Sequence, residues 1–155
     1  MCLKNTFSEE KIQEFLNNIG DNGITVYKVV WIADDDHCYP IFKNRHVAYR
    51  NGIEEAYQAN RCEADNGTEY DSGFHFYLRK VAAERFLHYI YKQRNREIYP
   101  GRHKIVSANV KREWITTVGR EAAISENLML TVRAVETVVV AKIAYFNLNY
   151  AGSNK

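Results

Sequence analysis

His75 is the side chain in this sequence best suited to chemistry near neutral pH, because a neutral imidazole can donate and accept a proton at once. It stands in Gly73-Phe74-His75-Phe76-Tyr77-Leu78. Read as a strand, this stretch puts His75 and Tyr77 on one face and Phe74, Phe76 and Leu78 on the other. The second set is expected in the core, and the first is free to meet a ligand. The alternative for His75 is a structural role, partly buried and bonded to backbone. Glu136 is the only acidic residue in the late β-branched stretch Arg133 to Phe146. His75, Tyr77 and Glu136 make up the candidate ligand-binding set.

Other chemistry finds less support. Asp34-Asp35-Asp36-His37 has metal-binding side chains, but adjacent aspartates in a turn do not converge on one ion, and no spaced loop ending in Glu follows. Cys2, Cys38 and Cys62 are an odd number without paired spacing, which predicts reduced thiols. A Cys–His nucleophile would need Cys38 or Cys62 beside a histidine such as His75, and nothing in the sequence places them together. The chain has no phosphate-binding loop, dinucleotide glycine pattern or Gly-x-Ser-x-Gly elbow. No catalytic residue, metal or cofactor is assigned.

The elements that must position the candidate set centre on Tyr70 to Tyr91. Asp71-Ser72-Gly73 is a turn. The strand Phe74 to Leu78 then runs straight into a helix expected from Lys80 to about Gln93, with Val81, Ala82, Ala83, Phe86, Leu87 and Ile90 as its apolar stripe. Ser8 is an N-cap for a first helix carrying Glu9 and Glu10 in its first turn, with a stop at Gly20. Strands are expected at Ile24 to Ile32, Tyr39 to Lys43 (an edge, from Pro40), Ile105 to Val110 and Arg133 to Phe146, and Trp114 to Val118 reads as a short strand or turn. His46 to Tyr49 reads as extended, Ile53 to Ala59 as a helical fragment, and Arg61 to Ser72 as an exposed loop.

Gly-Phe-His-Phe-Tyr-Leu, followed by a helix with Ala83 and Phe86, resembles a loose group of uncharacterised small domains from phages, bacteria and large DNA viruses. Their strand–helix motif reads glycine, Phe or Ile, His, Phe, then Phe or Tyr. In that group the motif follows a Cys and a turn, as it follows Cys62 and Asp71-Ser72-Gly73 here. Tyr27 to Val30 and Val139 to Ile143 are also similar. The resemblance implies one α+β domain and carries no activity. The order of elements also looks like that of ADP-ribosyltransferases, which seat NAD on a platform and use a late catalytic glutamate. Glu136 would be that glutamate, and Tyr27, His75 and Tyr77 the platform. The Ser-Thr-Ser and Glu-x-Glu elements of such enzymes are missing.

The 155 residues suit one domain, and the 46% hydrophobic content supplies a core. No apolar run approaches the roughly 20 residues of a membrane helix. The first residues lack an apolar signal core, so the expected location is cytoplasmic. Net charge is only +2 but uneven: Arg79 to Arg120 holds eleven Lys/Arg against three Asp/Glu. With Tyr89, Tyr91, Tyr99 and Trp114 interleaved, this stretch fits a polyanion. Arg94, Arg96, Arg102, Lys111 and Arg112 are its candidate contacts; the alternative is a solvated face.

The expected fold is a single α+β domain over residues 1–150, a mixed or largely antiparallel sheet of five to six strands with two main helices, and a disordered tail over 151–155. The expected function is a small non-enzymatic binding or interaction protein of phage or bacterial type, whose partner is a protein or a polyanion rather than a membrane. An ADP-ribosyltransferase-like enzyme and a weak nucleic-acid binder are the alternatives.

Overall fold

A computed structural model of the chain describes residues 3–41, 47–56, 61–92, 102–122 and 135–148. The strands are β1 (Asn5–Thr6), β2 (Ile24–Ile32), β3 (Cys38–Pro40), β4 (Gly52–Glu55), β5 (Arg61–Glu63), β6 (Glu69–Asp71), β7 (Phe74–Tyr77), β8 (Arg102–Val110), β9 (Ile115–Ala122), β10 (Val135–Ala141) and β11 (Ile143–Asn147). Two α-helices accompany them, α1 (Glu9–Asn17) and α2 (Lys80–Lys92). Ser8 caps α1 as expected, its hydroxyl accepting from the Lys11 N–H at 3.2 Å.

The α+β class holds, but the sheet is larger than five or six strands. Nine strands form one antiparallel sheet in the order β1-β9-β10-β7-β2-β8-β11-β4, with β3 on β2, and β5 and β6 form a separate hairpin. The extra strands are short or disguised. Gly52–Glu55 pairs with β11 instead of starting a helix, because register against a neighbour outweighs local propensity. Arg61–Asp71 is a two-stranded hairpin rather than a loop, with Ala64 and Tyr70 buried. The long stretch ending at Phe146 is two strands, broken by a bend at Lys142. Pro40 lies on β3, whose ladder is with β2 and whose other side makes an isolated bridge, Cys38 with Tyr49. The expectations for 42–43, 46, 57–59, 133–134 and the tail lie outside the described residues.

The bend at Lys142 decides the shape. The first half of this segment, β10, pairs with β9 and β7, and the second half, β11, pairs with β8 and β4. Since β7, β2 and β8 link those two halves through their own ladders, the sheet curls until it closes on itself. Phe76 on β7 and Phe146 on β11 lie three strands apart in the order, yet their rings are 5.6 Å apart and both are fully buried. They share the inside of the curl with Val26, Val30, Val106, Ala108 and Val139.

The outer face of the same strands is buried as well. Ala82, Ala83 and Phe86 of α2 pack with Val29, Tyr77, Val138 and Val140. Leu3 closes this second core, and Gly119 makes room for it: a side chain there would run into the Asn5 carbonyl and the Leu3 side chain. The paired neighbours Val138 and Val139, Val29 and Val30, and Phe76 and Tyr77 thus point into different cores. That is why these strands read as continuous apolar runs.

Candidate functional site

β7 carries His75 and Tyr77 on the face that α2 covers, so neither reaches solvent as an open ligand face requires. Tyr77 is 3% exposed and His75 8%. The division into a core face and a free face is corrected here, because α2 folds back over the strand it follows.

His75 is held at both ring nitrogens. Nδ1 lies 3.0 Å from the Gly73 carbonyl, which only accepts, so Nδ1 carries the proton. Nε2 then accepts from the Tyr70 hydroxyl at 3.0 Å. The Tyr70 oxygen in turn accepts from the Leu3 N–H at 3.3 Å. This chain ties the β5–β6 hairpin, β7 and the N-terminal segment together. The hairpin is fixed further by Asp65 N–H to the Leu3 carbonyl at 3.0 Å.

Glu136 lies farther along the same face. It is 4% exposed, and its carboxylate is gripped from α2's side. Arg79 Nη2 donates to both oxygens, at 3.0 and 2.8 Å, and Arg85 Nη1 donates to Oε1 at 2.8 Å. Both arginines are more than half exposed, so they screen a buried anion from the surface. His75 stands opposite Val140 in the β7–β10 ladder, four residues from Glu136. At the rise of a strand that is about 13 Å, too far to act on one bond. Tyr77 stands opposite Val138 and is nearer.

Tyr77 meets a residue the sequence did not single out. Its hydroxyl donates to Glu121 on β9, which stands directly opposite Glu136. Burial raises the Tyr77 phenol, and the neighbouring Glu121 and Glu136 charges add to it. Burial also raises the Glu121 carboxyl, against the Tyr77 hydrogen bond and the charge of Lys28. Glu121 Oε2 is buried and has no hydrogen-bond partner among the described residues. On the inner side Lys28 donates to the His75 carbonyl at 2.9 Å, with its ammonium 5.7 Å from the Phe76 ring centre. Burial lowers it from 10.5 to about 8, partly offset by Glu121. A lone lysine inside the apolar run Ile24–Ile32 was the one signal that could have marked this position, since a charge in a buried strand needs partners. Nothing local marks Tyr70 or Glu121.

The basic stretch is spread out. Arg94 and Arg96 lie outside the described residues. Arg102 opens β8 and pairs with Asp36 at 3.1 Å. Lys111 follows the other end of β8, its ammonium 5.3 Å from the Trp114 ring centre, and Arg112 donates to the Ile19 carbonyl. Nine residues of strand separate Arg102 from Lys111, about 30 Å. α2 does pack over β2, β7 and β8, but Arg79 and Arg85 are spent on Glu136.

Among the described residues no group of His, Cys, Asp and Glu could hold a metal ion, and no helix is long and apolar enough to cross a membrane. No family model matches the chain, and no curated protein or solved structure is similar to it.

Proposed function

We propose that this protein is a small non-enzymatic binding module. One observation carries the reading: the two groups best suited to catalysis, His75 and Glu136, are about 13 Å apart along β10 and each is consumed by structural partners. A platform-plus-glutamate mechanism needs both at one substrate, with the carboxylate open to it. Here the carboxylate already accepts three hydrogen bonds from arginine. Cys38 and Cys62 as free thiols support action in a reducing compartment such as the cytoplasm. The motif around His75 supports a phage or bacterial type. A polyanion partner draws less support, because Arg102, Lys111 and Arg112 sit at both ends of β8 with contacts of their own.

The test is incubation with NAD and measurement of free nicotinamide. A binding module releases none above buffer. It also loses melting temperature on His75→Gln, because Tyr70 and Gly73 then lose their shared partner. Nicotinamide release that disappears in Glu136→Gln would overturn the reading in favour of an ADP-ribosyltransferase-like enzyme.

A further inference from the structure

Among the described residues the curled sheet ends at β4, which pairs with β11 on one side only. The Ala56 N–H donates to the Lys142 carbonyl at 2.8 Å. Backbone groups alternate along an antiparallel strand, so the N–H and C=O of Ile53 and Glu55 point away from β11. The same alternation puts the side chains of Ile53 and Glu55 together on the outer face, and both are exposed. Ile53 is 67% exposed and stands directly opposite Tyr145, itself 50% exposed. An open ladder edge therefore lies beside an apolar cross-strand pair and a carboxylate.

The charges choose the occupant. If a second copy paired β4 to β4 about Glu54, the two Glu54 residues would face each other and each Ile53 would meet a Glu55; pairing about Ile53 would set each Glu55 opposite Asn51, with no cation to meet its charge. Like charges directly opposite destabilise a ladder, and charge on an edge strand guards against self-pairing. The glutamates that discourage a second copy favour a basic strand.

We propose that β4 docks an extended segment of a partner protein by adding it as an antiparallel strand, and that the segment reads basic-x-apolar. The basic residue faces Glu55, and the apolar residue two positions later packs on Ile53 and Tyr145. Main-chain hydrogen bonds to the edge supply affinity, and the two side-chain positions supply selectivity. This surface rests on the binding-module reading, but it uses none of the residues around His75 and Glu136.

The probe is a fluorescein-labelled peptide with a Lys-Thr-Val core, followed by fluorescence anisotropy on the full chain. Two controls are the Glu-Thr-Val counterpart and a peptide of the same composition with the order scrambled. The lysine peptide should bind and both controls should bind at least about tenfold more weakly. Ile53→Ser should weaken the lysine peptide by about tenfold without moving the melting curve, since Ile53 is exposed. Glu55→Lys should reverse the preference toward the glutamate peptide. Absent binding, equal binding of the scrambled peptide, or indifference to both substitutions overturns the proposal. Self-association in sedimentation that Ile53→Ser removes would also overturn it and assign the edge to a second copy. Nicotinamide release from NAD removes the binding-module reading whatever the peptide does; a silent peptide without nicotinamide release removes only this surface.

Discussion

Glu121 and Glu136 stand directly opposite one another across the β9–β10 ladder, and each has different partners. Glu136 is clamped by Arg79 and Arg85. Glu121 has the Tyr77 hydroxyl and a raised carboxyl whose chief cause is burial. Two ionised carboxylates side by side would repel. The arrangement relieves this by pairing Glu136 with two arginines, while burial disfavours the charge of Glu121.

Glu136→Gln should therefore cost more stability than Glu121→Gln. The first leaves two guanidiniums without their anion, a loss of about 1–3 kcal/mol held to the low end by the exposure of both arginines. The second removes a carboxylate whose charge burial disfavours, at the loss of its hydrogen bond with Tyr77. Urea melts of the two variants at neutral pH check this, and equal losses would overturn it.

Phe76→Ala and Tyr77→Ala should both be severe. Phe76 is fully buried inside the curl, where its ring lies 5.6 Å from that of Phe146. Tyr77 is buried on the opposite face, 6.1 Å ring to ring from Phe86. Each truncation should cost about 3–5 kcal/mol through lost burial and a cavity. A one-sided sheet would instead make the Tyr77 change mild, so denaturant melts of the pair measure whether α2 covers this face.

Stability should rise with pH between about 8 and 10, and the rise should disappear in Lys28→Met. Lys28 is lowered from 10.5 to about 8 in the fold. The unfolded chain then binds more protons than the native one across that window, so stability increases as pH climbs through it. The gain should be about 1–2 kcal/mol. The buried Cys38 thiol, raised by burial, acts the other way above its ordinary value of 9.0, and the raised phenols of Tyr49 and Tyr77 do so above 10.0, so the rise is steepest below 9. Chemical denaturation at several pH values separates the two ranges.

The local elements were legible in the sequence because their causes are local. Ser8 capping α1, the run Ile24–Ile32 and the change of period from Phe74 into α2 depend on neighbours along the chain. The β5–β6 hairpin and β4 were missed because their sequences are polar, and only pairing to another strand makes them extended. The site depended still more on distant contacts. That α2 folds back over β7 turned Tyr77 from a candidate contact into core, and register along β10 set His75 apart from Glu136. Periodicity states which residues share a face. It does not state what covers that face, because cover comes from elements far away in the chain, such as Leu3 over Gly119 or Arg79 and Arg85 over Glu136. The β1–β9 and β7–β10 ladders bring those residues together, and the bend at Lys142 between β10 and β11 brings Phe146 to Phe76.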